Sequence, residues 1–304
     1  MLTAMMQVYS SSSFASSTSP PQPVQSPSFL ISTAFPPGTP DSFHPSDLIL
    51  LSSDSVSFHV HRSVLQAASI RAFRISFPSL PPSSSGIVEP VISIPESSTI
   101  LNIILHSIYG QSIARYAPSF EALSTAVAAL PPNELSISKF VTLSSPLGAL
   151  ILAHAPHRPI ETYALAAQHD LHELAVATSS HLLSFNLSSI TDKLAEQIGS
   201  RYLKRLFLLH SERIEALKGL LMPPPSPHSA TPTCTSADQG NVARAWALTV
   251  AYLIWDSRVD LSTVTIETIF GTIESRTQCP ICRDSLKSRV QTLIVQWTNV
   301  KRTI

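Results

Sequence analysis

Over residues 47–77, DLILLSSDSVSFHVHRSVLQAASIRAFRISF, the hydrophobic period changes from two to about 3.6 within one short segment. Residues 47–51 are a short apolar run, and Ser52-Ser53-Asp54 is a turn signal. Val56, Phe58 and Val60 alternate with polar residues, as in a half-buried strand. Val64, Leu65, Ala68, Ala72 and Ile75 then fall at helical spacing, with Phe73 and Phe77 flanking that face. A hairpin running straight into an amphipathic helix packs as one unit, so this stretch predicts strand, turn, strand, helix.

The residues that carry this pattern also carry a likeness. Asp47-Leu48-Ile49-Leu50 opens the first strand, and Phe58, Val60, His61 and Arg62 form an F-x-V-H-R strand end. His61-x-x-Val64-Leu65-x-x-x-Ser69 follows on the helix. Together they resemble the core of BTB/POZ domains, which are protein–protein interaction modules. The family has an aromatic three residues after the serine. Here Ala72 holds that place and Phe73 comes one later, so different packing is expected at the end of the helix. The order continues as in the family. A Pro-rich loop at 78–90 leads to a short strand at 91–95 bearing Ile92 and Ile94. Ser97 or Ser98 is placed to cap a helix with Ile100, Leu101, Ile104, Leu105 and Ile108, which ends at Tyr109-Gly110.

The resemblance implies an α+β fold with a small mixed sheet and surrounding helices over residues 42–116, followed by an all-helical extension over 117–221. The string RPIETYALAAQHDL at 158–171 is similar to the extension of fungal BTB proteins. In transcriptional members of the family, an Asp and an Arg at the places of Asp47 and Arg62 line a partner-binding pocket. The plainer reading is a structural ion pair, because a carboxylate leaving water needs a cation or backbone donors. Phe58, His61, Val64, Leu65 and Ser69 are the signature positions, and the family uses His61 structurally at the strand–helix junction.

Outside this core the chain divides by composition. Residues 1–41 are rich in Ser, Pro and Thr, so disorder is expected there. Many BTB domains exchange an N-terminal helix and strand to dimerise. The leader offers no helical face, which argues against the swapped homodimer. Phe120, Leu123, Val127 and Leu130 mark a helix stopped by Pro131-Pro132. Four helices are expected over 159–221. They start at Pro159, near His172, after a cap at Ser188 or Ser189, and at Arg201, with Gly199 ending the third. Residues 222–241 read as a low-complexity linker, and 242–304 as helical again. The run 246–255 is apolar almost all round, which predicts burial. Helices are expected at 261–275 and 284–301, on either side of a Cys279-Pro280-Ile281-Cys282 turn.

Formal net charge is +0 and the pI is about 7.2, which speaks against a phosphate-coating surface, and no nucleic-acid partner is expected. The N-terminus has no basic region before an apolar run. The longest apolar runs, 147–155 and 246–255, fall short of the ~20 residues that span a bilayer. An intracellular protein of the cytoplasm or nucleus, without a membrane, is the expectation.

The chain has three cysteines, Cys234, Cys279 and Cys282. Cys279 and Cys282 at i and i+3 resemble half of a RING-type zinc site or a zinc knuckle. A closed site needs four ligands, and the remaining nearby candidates are Cys234, His210 and His228, two of them in the expected linker. The plain reading is a helix–helix turn with small buried thiols, and no cofactor is assigned. His59 and His61 share a strand face, but their expected role is structural. No G-x-S-x-G, phosphate-cradling loop or H-E-x-x-H is present. The expected function is therefore non-enzymatic: an adaptor or scaffold of BTB type that binds other proteins, such as a cullin-type ubiquitin ligase or a transcriptional complex. The alternative is a ligase-like protein with a minimal zinc element at Cys279 and Cys282.

Overall fold

Leu48 and Leu50 on one strand lie opposite Val60 and Phe58 on the next, so both cross-strand pairs turn their side chains into the same core. The computed structural model describes residues 30–38, 45–75, 90–256 and 258–304. Its first elements are β1 (Leu30–Ile31), β2 (Leu48–Leu51) and β3 (Val56–Val60). The β2–β3 turn is tied by Ser52, whose hydroxyl donates to Asp54 Oδ1 (2.6 Å) and accepts from the Val56 amide (3.0 Å). Next come α1 (Arg62–Ala68), β4 (Val91–Ser93) and α2 (Ser98–Ile108). The sheet order is β1-β3-β2-β4, with β2–β3 antiparallel and both outer pairs parallel. Leu101, Ile103, Ile104 and Leu105 of α2 are fully buried beneath it.

Two local expectations are corrected here. The apolar face read from Val64 to Ile75 is not one helix. Helix α1 stops at Ala68, with Ser69 extended, and the chain turns through a short 3-10 segment, Ala72–Arg74. Phe73 adopts a left-handed φ of 57° and is buried beside Ala72, so the displaced aromatic is accommodated by backbone. The second correction concerns the leader expected to be disordered. Part of it is tied down: β1, though exposed, pairs with β3, and Phe35 is buried against Phe58, His106 and Tyr109. Residues 1–29 lie outside the described residues.

Helices then take over: α3 (Phe120–Ala129), α4 (Ile137–Phe140), α5 (Pro146–Ala153), α6 (Pro159–Gln168) and α7 (His172–Ser179). Helix α6 is buried almost throughout, and its Tyr163 hydroxyl donates to the Tyr202 carbonyl (2.9 Å). Helix α8 (Asp192–Leu221) is capped by Thr191 rather than by Ser188 or Ser189, and it is broken at Gly199, where φ is 73°. That break separates the third and fourth helices of the sequence reading.

The remaining helices are α9 (Ser236–Asp256), α10 (Thr263–Arg276) and α11 (Pro280–Thr298). They pack with the end of α8 around Trp246, which stacks on Phe270 at 4.2 Å and donates its indole N–H to the Leu221 carbonyl (3.0 Å). The expected all-round burial of 246–255 does not occur: Trp246, Val250 and Leu253 are inside, whereas Trp255 is 90% exposed. The expected linker is also different, because its last residues already belong to α9. Residues 222–235 are pinned along α11. Ser285 Oγ donates to the Ser226 carbonyl (2.8 Å), and Arg289 Nε donates to the Pro223 carbonyl (2.9 Å). The whole is a mixed α+β fold dominated by helix, and among the described residues no helix is long and apolar enough to cross a membrane.

Candidate functional site

Two places gather the residues singled out by sequence. The first is the junction of β3 and α1. His61 is the N-cap of α1 but makes no side-chain cap bond. The cap comes from Asp47, whose Oδ1 accepts the Arg62 backbone N–H at 2.7 Å, so the carboxylate sits against the positive end of the helix. Asp47 and Arg62 do meet, through the Arg62 main chain. The His61 amide donates to the Tyr109 hydroxyl (2.8 Å), and His61 Nδ1 lies 3.0 Å from the same oxygen. Burial pushes the Tyr109 phenol above its usual range. The strand–helix corner is thus bolted to the end of α2. Phe58 and Leu65 are core residues, while Val64 and Ser69 are half-buried. At the other end of α1, Lys139 Nζ donates to the carbonyls of Ala67 (2.9 Å) and Ala68 (3.0 Å). Beside it runs an open groove of about 300 Å³, lined by Val64, Ala67, Ala68, Ile108 and Phe140 among others.

The second place is the start of α11. Cys279 is its N-cap, Pro280 its first residue and Cys282 lies in its first turn. As the N-cap, Cys279 sits at the positive end of α11, and that first turn, the Cys282 backbone foremost, lowers its pKa to about 7. Cys282 is buried, and loss of water pushes its thiol up to about 12; burial also raises Cys234. The chain from the end of α8 brings up two further groups. Residues 231–234 form a tight turn in which Thr231 and Cys234 exchange backbone bonds (3.0 and 3.1 Å). Thr235 and Asp238 then bond reciprocally at the start of α9. The turn places Cys234 Sγ 3.7 Å from Cys282 Sγ. His228 Nε2 lies 3.2 Å from Cys282 Sγ and 3.4 Å from Cys279 Sγ.

All four side-chain donor atoms fall within 4.8 Å of one another, and no other such cluster of three or more His, Cys, Asp or Glu occurs among the described residues. His228 Nδ1 is 2.7 Å from the Ser229 carbonyl, a contact that only a protonated nitrogen can make. In the neutral ring that leaves the lone pair on Nε2, the nitrogen nearest the sulfurs. Cys279 and Cys282 also border an open cleft of about 600 Å³.

The sequence offers all four residues as candidate ligands, with His228 and Cys234 in an expected linker, and the structure brings them together. The third candidate, His210, is elsewhere: it is buried, its Nε2 is 3.0 Å from the Leu182 carbonyl, and desolvation lowers its pKa. His59 does not join a cluster, and its amide donates to the Phe35 carbonyl (3.0 Å). Compared with known proteins, the chain matches no family model, no curated protein sequence and no solved structure.

Proposed function

We propose that residues 42–221 act as a protein-interaction module of the BTB/POZ type with a helical extension, and that the protein is a non-enzymatic adaptor or scaffold. The observation that carries this reading is the order of elements and their fastening. A β-hairpin feeds α1, a parallel strand feeds α2, and α2 ends at Tyr109-Gly110, where Tyr109 bonds back to His61 at the strand–helix corner. The residues of that corner are those that carry the likeness to BTB domains. The binding face we assign is the groove along α1. Asp47 and Arg62 we assign to holding the N-terminus of α1 beside that face.

The partner class is another protein: a cullin, for a ubiquitin-ligase adaptor, or a transcriptional complex, for a scaffold. We place the protein inside the cell, in the cytoplasm or nucleus, where its free thiols stay reduced. The ligase-like alternative has four candidate metal ligands to draw on, too few for a cross-braced zinc domain of its own.

Binding of the purified full-length protein to a panel of recombinant cullin N-terminal domains tests the adaptor reading. Saturable binding to one of them, weakened about tenfold or more by Ala67→Arg in the groove, is the expected result, since that loss is about 1.4 kcal/mol of contact. Binding to none, or binding unaffected by Ala67→Arg, removes the cullin-adaptor reading or the assigned face respectively.

A further inference from the structure

The geometry points to a structural Zn²⁺ site in which Cys234, Cys279 and Cys282 supply three thiolates and His228 supplies Nε2. A tetrahedral zinc with sulfur at about 2.3 Å and nitrogen at about 2.0 Å requires S···S edges of roughly 3.8 Å and S···N edges of roughly 3.5 Å. The Cys234–Cys282 edge is 3.7 Å, and the two edges from His228 are 3.2 and 3.4 Å. Three soft donors and one imidazole select zinc over hard cations, which take oxygen ligands.

The supporting contacts are those a zinc site needs. His228 is locked by the Ser229 carbonyl in the tautomer that offers Nε2, the second bond that metal-binding histidines usually make. Cys279 is the N-cap of α11, so its sulfur lies at the positive end of the helix, which favours a thiolate. Cys234 is held by its reciprocal bridge with Thr231. His228 is anchored through its amide to Gln239 Oε1 (3.1 Å). The ligands come from separate stretches, the 222–235 segment and the start of α11, and the cleft beside Cys279 gives an ion a way in.

Other uses of the cluster fit less well. A disulfide between Cys234 and Cys282 needs sulfurs at about 2.05 Å, and it would leave Cys279 and His228 aimed at a bond they do not join. A Cys279–His228 nucleophile would leave Cys234 and Cys282, whose sulfurs complete the cluster, without a role. With four protein ligands no position is left for water or substrate, so the zinc is structural rather than catalytic. It clasps the segment leaving α8 to α11 and closes the C-terminal helical unit.

Metal analysis of the full-length protein, purified under reducing conditions without chelator, tests this. About one zinc per chain is expected. Replacement by Co²⁺ should give the intense visible absorption of a tetrahedral thiolate site. His228→Ala and Cys279→Ser should lose zinc or bind it at least tenfold more weakly, whereas His228→Cys, which restores a four-thiolate set, should keep it. This conservative variant separates loss of a ligand from loss of the fold. Folded protein without metal that takes up no zinc on dialysis would overturn the assignment. So would zinc content unchanged in His228→Ala, iron or copper in place of zinc, or a native mass lower by two hydrogens with Cys234 and Cys282 joined.

Discussion

The two larger hydrophobic cores among the described residues differ in how they are closed. The first runs from Phe35 to Leu206 and gathers the sheet, α2 and helices α3 to α7. The second is built from the end of α8 and α9 to α11, with far fewer buried apolar residues, among them Trp246, Phe270, Leu293 and Trp297. A large core can offset chain entropy by apolar burial, whereas a small one needs help from covalent or metal cross-links. The Cys/His cluster lies in the second region, where the help is needed. The difference also explains why the 222–235 segment, with little apolar surface of its own, is ordered: hydrogen bonds and the proposed ion hold it, not burial.

The sharpest way to break this comparison is to remove the metal. Chelation of the purified protein should unfold α9 to α11 selectively, because binding energies of structural zinc, of order 10 kcal/mol at neutral pH, are folding energy. Amide hydrogen exchange is the measurement. Protection across 236–298 should collapse while α2, at 98–108, stays protected. Equal loss in both regions would show that the two cores do not stand apart.

The converse perturbation strikes the first core. Phe58 is 2% exposed, lies on β3 and meets Phe35 at 6.1 Å. Phe58→Ala should cost about 3–5 kcal/mol, read from denaturant unfolding, and should leave the zinc content unchanged. A fall in bound zinc would join the two regions more tightly than their separate cores imply.

Arg213 sits where the regions meet. It is buried, with its guanidinium 4.3 Å over the Trp297 ring. It donates to the carbonyls of Val259 (3.1 Å), Val300 (2.9 Å) and Lys301 (2.8 Å). Ile304 in turn donates its amide to Ser179 Oγ (3.1 Å), returning the C-terminus to α7. Arg213→Ala should cost about 2–4 kcal/mol and should split thermal unfolding into two transitions, since it strips three carbonyls and a cation–π contact at once. Arg213→Lys should rescue only part, because an ammonium cannot span the same fork. A single sharp transition in Arg213→Ala would mean that the coupling lies elsewhere.

Legibility in the sequence follows the same division. The hairpin, β4, α2 and the broken α8 are readable because burial imposes a period: Leu48, Leu50, Phe58 and Val60 by twos, Leu101, Ile104 and Leu105 by turns of helix. Three features escape that logic. Strand β1 and Phe35 lie between prolines in a stretch too short to show a period, and their partners, β3 for the strand and Phe58, His106 and Tyr109 for the ring, are distant in sequence. Helix α1 ends early because Phe73 turns inward through a left-handed residue, which no pattern of apolar spacing announces. In α9 the residues Leu248, Tyr252 and Trp255 are apolar yet exposed, so hydrophobicity misjudged their burial. As for the candidate metal site, the Cys279–Cys282 half was legible from its spacing. His228 and Cys234 could be named as candidates with His210, but the Pro, Ser and Thr-rich composition of their segment gave no sign that it is held against α11.

The smallest expected effect tests a fastening of the first core that apolar burial does not supply. Ser97 and Ser98 were the expected caps of α2, yet Ser97 makes no side-chain cap bond. The β2–β3 turn does the work instead: Asp54 accepts the Ser98 amide on Oδ1 (2.8 Å) and the Ser98 hydroxyl on Oδ2 (2.6 Å). Bonds from the Ser52 and Ser98 hydroxyls, in that order, hold its carboxyl below the usual value of 3.8. A depressed folded pKa means that this stabilisation is fully present above pH 3.8 and is lost as the pH falls through the lower folded value. Asp54→Ala should therefore cost about 1 kcal/mol at neutral pH, the usual worth of a helix cap at an exposed site. The gap between variant and wild type should shrink in acid and stay flat from pH 5 upward. Denaturant midpoints measured across that range decide it. A gap that persists undiminished below pH 3 would mean that Asp54 acts through its shape and not through its charge, and that the turn, rather than the cap, fastens α2 to the sheet.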